Sequence, residues 1–109
     1  MRNDTKARQF SREVKEAAAL RDMVDGWPCC IWCGEPSPDL LSFSCAHFIS
    51  RAQGGLGVEG NCLTLCPQCH RRYDQTADRR KMYGFFRRYL HEKYPGWNEL
   101  NLYRRDEKC

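Results

Sequence analysis

The sequence predicts an α+β fold: a β-hairpin and a short helix held together by cysteines, flanked by an N-terminal and a C-terminal helix. Three observations carry this. Two C-x-x-C pairs, Cys30-Ile31-Trp32-Cys33 and Cys66-Pro67-Gln68-Cys69, bracket the middle of the chain. Between them an alternating apolar segment, a glycine-rich stretch and a second short apolar run follow one another. Beyond the second pair, apolar residues recur at helical spacing. With 109 residues there is room for one domain with a thin core, so a covalent or metal staple would add much to its stability.

The elements follow in order. Phe10, Val14, Ala17, Ala18, Leu20 and Val24 recur at spacings of three to four among good helix formers, which predicts a helix within residues 5–24 that ends near Gly26. Trp27-Pro28 turns the chain, and the stretch from Cys29 to Pro38 has no period and reads as a loop ordered around its cysteines. From Leu41 to Ile49, Leu41, Phe43, Cys45, His47 and Ile49 alternate with their neighbours, as in a strand. Ser50 to Asn61 carries four glycines and reads as a loop; Cys62 to Leu65 is a second strand returning beside the first. Pro67 suits the first turn of a helix that runs to about Gln75. Met82, Phe85, Phe86, Tyr89 and Leu90 form one apolar face of a helix from about Asp78 to Lys93, and a short, partly helical tail follows.

Composition limits the chemistry. The charged fraction is 29% and the mean hydropathy −0.76. No apolar run approaches the roughly 20 residues that cross a bilayer, and the first 20 residues hold no apolar stretch of signal-peptide length. Secretion and membrane insertion are disfavoured, and a cytoplasmic location is expected. There, two C-x-x-C pairs read as a tetrahedral Zn²⁺ site made by Cys30, Cys33, Cys66 and Cys69; disulfides and redox dithiols are the rival readings. Cys29 competes with Cys30 as a ligand, although the two-residue spacer favours Cys30. Cys45 and Cys62 read as small buried thiols and Cys109 as a tail thiol.

Lys plus Arg number 18 against 14 Asp plus Glu, a formal charge of +4. Arg71-Arg72, Arg79-Arg80-Lys81, Arg87-Arg88 and Arg104-Arg105 gather in the C-terminal half, a distribution that favours a polyphosphate partner. Solvated helix faces are the plainer reading of the same pairs.

The chain therefore presents a cysteine knuckle, a strand with His47, a glycine-rich loop, Asn61, a strand, a second knuckle, and His70 at a helix start. In this order it resembles the HNH endonuclease family, on the segments Ala46 to Arg51 (AHFISR), Gly54 to Asn61 (GGLGVEGN) and Leu63 to Asp74 (LTLCPQCHRRYD). The resemblance, to the small phage and bacterial type with two zinc knuckles, spans about residues 29–75. It implies a ββα-metal core (29–75) within a single nuclease domain (1–109), with a helical extension (1–28) before it and a helix and tail (76–109) after it.

The same resemblance implies a metal-dependent DNA endonuclease; double-stranded DNA is the expected substrate, and RNA is the rival reading. His47 would be the general base that takes a proton from the attacking water, a task its near-neutral pKa suits. Asn61 would tie down the loop and the base-bearing strand. His70 would hold a catalytic Mg²⁺ or Mn²⁺; the rival reading puts it in the zinc shell in place of Cys69. Asp74, one helical turn on, lies on the same face about 6 Å along and is a candidate second ligand, or else a solvated partner of Arg71. Arg51, Arg71 and Arg72 are candidate phosphate contacts. One departure is Ala46, where many family members carry Asp, Glu or His as a metal ligand. That feature favours an alternative, a non-catalytic zinc-stabilised module that binds DNA or a protein. The first helix is expected to pack on the domain or to form a homodimer, and phage packaging, homing and restriction are all roles that the family fills.

Overall fold

A computed structural model describes residues 9–39, 42–43 and 45–103. Its helices are α1 (Arg12–Arg21), α2 (Pro67–Gln75) and α3 (Arg79–Lys93). Its strands are β1 (Met23–Val24), β2 (Trp27–Pro28), β3 (Cys45–His47) and β4 (Cys62–Thr64), paired antiparallel as β1–β2 and β3–β4. This is the expected α+β arrangement, with one hairpin more than the sequence suggested.

The first helix is shorter than its apolar spacing predicts. Ser11 caps its start, its hydroxyl accepting from the Val14 amide at 3.1 Å, so Phe10 lies outside the helix. At the other end Asp25 and Gly26 both adopt positive φ (55° and 89°), the backbone of a tight hairpin turn, and Val24 pairs with Trp27 instead of extending the helix. Ala18 and Ala19 form the buried face of α1, while Leu20 is 59% exposed. Small side chains let α1 approach β4 closely. The buried pair Arg21–Asp22 completes the seam: Arg21 Nη2 donates to the Cys62 carbonyl at 2.8 Å, and Asp22 accepts from the Tyr89 hydroxyl. Burial is tolerated because both charges are paired and hydrogen-bonded.

In the central hairpin, Cys45 faces Thr64, Ala46 faces Leu63 and His47 faces Cys62. The ladder is only three residues long. Beyond it Asn61 replaces a strand partner: its Oδ1 accepts from the Ile49 amide at 2.7 Å, and its Nδ2 donates to the carbonyls of Ile49 (3.1 Å) and Leu56 (2.8 Å). Leu40, Leu41 and Ser44, the early part of the expected strand, lie outside the described residues, as does Cys109. The loop between the strands folds into two short 3-10 turns, Arg51–Gln53 and Glu59–Asn61.

The core lies between this hairpin, α2 and α3. Phe48, Leu63, Leu65, Tyr73, Met82, Phe86 and Leu90 are fully buried there. Tyr73 and Phe86 meet edge to face, with ring centroids 5.2 Å apart. Phe85, expected on the same apolar face, is 39% exposed and instead lies edge-on to Trp32 at 5.3 Å. Trp97 closes the far side, its indole N–H donating to the Gly60 carbonyl at 2.9 Å. Among the described residues, no helix is long and apolar enough to cross a membrane.

Candidate functional site

Two groups of chemically active residues stand out, and they share no residue. The first is a cluster of Cys30, Cys33, Cys66 and Cys69, whose sulfurs all lie within 4.8 Å of one another. Local backbone brings each pair together. The first knuckle turns at Gly34, whose amide donates to the Cys30 carbonyl at 2.9 Å, and the Ile31 amide ties the knuckle to β4 through the Thr64 carbonyl at 2.9 Å. In the second knuckle Cys66 is the N-cap of α2 and Cys69 lies in its first turn. Cys33 Sγ and Cys66 Sγ are 3.7 Å apart, far beyond a disulfide bond. A tetrahedron with zinc–sulfur arms of 2.3 Å has edges of about 3.8 Å. The sulfur set therefore fits a tetrahedral ion. Cys29 stays outside the cluster, its thiol donating to the Trp27 carbonyl at 3.4 Å, and Cys69 rather than His70 completes it.

The thiols influence one another's ionisation. Burial opposes the Cys66 thiolate, yet the Cys69 amide and the neighbouring thiols outweigh it and bring Cys66 below the ordinary thiol range. Burial, and after it the neighbouring sulfurs, push Cys69 up. One thiolate forms readily and the next is resisted, a conflict that a divalent cation at the centre would remove.

The second group lines an open cleft of about 460 Å³ formed by His47, Ser50, Arg51, Ala52, Gln53, His70, Asp74 and Arg79. His47 comes from the end of β3, while His70 and Asp74 come from successive turns of α2. His70 Nε2 lies 2.9 Å from Asp74 Oδ2, so the two point at one place. Arg51 opens the short turn capped by Ser50, whose Oγ accepts from the Gln53 amide at 3.2 Å. Asn61 stands behind the cleft, fully buried, and fixes the peptide groups on either side of Ile49. The Phe48 amide also donates to the Asn61 carbonyl, at 2.9 Å.

Arg79 also lines the cleft, a place that its position in the sequence does not indicate. Its guanidinium lies 4.1 Å over the Tyr73 ring and donates to the carbonyls of Tyr73 (3.1 Å) and Phe48 (3.4 Å). Nη1 is also 3.7 Å from Asp74 Oδ1. The arginine is thus held by its surroundings at the cleft wall. The Tyr73 hydroxyl donates to the same Phe48 carbonyl at 2.8 Å, and burial pushes its pKa up, so it remains a donor. Arg71 and Arg72 are exposed and are not among the cleft-lining residues; Arg72 pairs with Asp78 at 3.1 Å.

The fit to a catalytic cation rests on the donors present. An imidazole nitrogen and a carboxylate oxygen in mutual contact at an open surface suit a divalent ion that keeps several waters. Ala46 is fully buried among apolar residues and supplies no ligand.

Comparison with known families bears on the same stretch. Residues 30–76 match the HNH endonuclease family. Over this stretch the chain is similar to HNH endonuclease domains. The match takes in both cysteine knuckles, the β3–β4 hairpin and α2, and so nearly every residue of the two groups described above. It covers somewhat under half of the chain and leaves α1 and all of α3 outside. No curated protein matches the chain.

Proposed function

We propose that this chain is a metal-dependent endonuclease that hydrolyses phosphodiester bonds of double-stranded DNA. The supporting observation is convergence: His47, His70, Asp74, Arg51 and Arg79 line one open cleft, and none of them belongs to the cysteine cluster. Hydrolysis of a phosphodiester needs a deprotonated water, a stabilised phosphorane-like charge and a stabilised leaving oxygen. His47 takes the proton from the attacking water. Asn61 keeps the chain beyond His47 in place, and Arg79 and Arg51 hold the scissile phosphate through guanidinium hydrogen bonds. His70 and Asp74 hold the divalent ion, Mg²⁺ or Mn²⁺, which when bound supplies positive charge at the phosphate and the leaving oxygen. Zn²⁺ occupies the four-cysteine site and stabilises the scaffold.

Nicking of supercoiled plasmid with Mg²⁺ or Mn²⁺ tests the reading. His47→Ala should lower the rate by about 10² to 10⁴-fold, the contribution of a positioned acid or base, while zinc content stays at one ion per chain. Equal rates would remove His47 from this role. The absence of a ligand at Ala46 favours a second reading, a zinc-stabilised module that binds DNA or a protein without cutting. DNA binding with no cleavage under any divalent ion would select it.

A further inference from the structure

The HNH match begins at residue 30, yet one residue of the preceding segment touches the proposed base. The Phe10 and His47 rings are stacked, with centroids 4.0 Å apart and planes inclined by 22°. We propose that Phe10 is a positioning residue for His47: its ring backs the imidazole and fixes the plane in which the base meets water. This rests on the reading of His47 as general base.

Phe10 is not among the residues that line the cleft, so it supports the imidazole without occupying the substrate's place. Face-to-face contact restricts rotation of the imidazole while leaving both nitrogens at the ring edge, where proton transfer takes place. The segment bearing Phe10 is itself anchored on both sides. After it, Ser11 caps α1, and α1 is tied to β4 by Arg21 on the Cys62 carbonyl. Before it, the Gln9 backbone lies against Gly57, where a Cβ would come within 1.9 Å of the Gln9 carbonyl oxygen. Only glycine admits so close a backbone. The N-terminal segment is therefore built into the active site, and the domain's catalytic unit extends upstream of its family match.

The experiment compares wild type, Phe10→Leu, Phe10→Tyr and Gly57→Ala. Phe10→Leu keeps an apolar side chain of similar bulk but loses the stack; it should lower kcat about tenfold, the scale expected when a base is mis-set by a fraction of an ångström. KM for DNA should stay within about twofold of wild type, since ground-state binding is untouched. Phe10→Tyr should restore kcat. Gly57→Ala displaces Gln9 while keeping both aromatic rings and should reproduce the Leu effect. A readout free of catalysis accompanies these: His47 ring protons, assigned by their disappearance in His47→Ala, should resonate upfield in wild type and Phe10→Tyr, and return to ordinary positions in Phe10→Leu. An unchanged or increased kcat in Phe10→Leu, a loss confined to KM, or unshifted His47 protons in wild type would each overturn the proposal. Failure of the endonuclease reading looks different: wild type and His47→Ala would then be equally inactive.

Discussion

The cysteine cluster and the cleft present their donor groups in opposite ways. In the cluster, short spacers on two tight turns bring four sulfurs within 4.8 Å of one another, and three of the four cysteines are buried. The protein supplies the whole coordination shell. In the cleft, one imidazole and one carboxylate stand at an open surface, 2.9 Å apart and satisfied by each other when no ion is present. Such a site needs water and phosphate oxygens to complete it. Under the proposed function, the contrast separates an ion that makes the fold from one that would arrive with the substrate.

The strongest way to break the comparison is to empty the enclosed site. Zinc bound by four thiolates contributes on the order of 10 kcal/mol, as much as the entire stability of a domain this small. Chelation, or Cys69→Ser, should abolish the cooperative thermal transition seen by circular dichroism and with it all cleavage. Survival of the transition after complete zinc removal would show that the core stands without its staple. Arg79→Ala should act on the cleft alone. Loss of a fixed donor at the phosphate is expected to cost about 10²-fold in rate, with zinc content unchanged and the cooperative transition retained. Arg79→Lys should not restore the rate, because an ammonium cannot span two carbonyls and a phosphate. Asp74→Asn should have the smallest effect. It removes one anionic ligand and should raise the Mg²⁺ concentration for half-maximal cleavage about tenfold, a shift read directly from a metal titration of the nicking rate.

Much of this architecture was legible because local rules governed it. The C-x-x-C spacers named the four clustered cysteines, and Pro67 and the stripe from Met82 to Leu90 located α2 and α3 to within a residue. The first helix was over-extended because Val24 falls at helical spacing from Leu20. The Asp25-Gly26 pair, a hairpin signal in its own right, decides the matter. Helical spacing puts Phe10 on the face of that helix, whereas it precedes the cap and lies on His47. The missed site residues share a cause. Arg79 and Phe10 reach the site through tertiary contacts over 31 or more residues of chain, to Phe48 and His47, and no spacing rule spans such a gap.

The Phe48 carbonyl takes on a larger meaning in this light. It belongs to the residue immediately after His47, and it accepts from Tyr73 on α2 and from Arg79 on α3. Three segments of chain meet on one oxygen. Displacing α2 or α3 from the hairpin would strain that joint, which ties the residue after His47 to the helices that carry His70, Asp74 and Arg79.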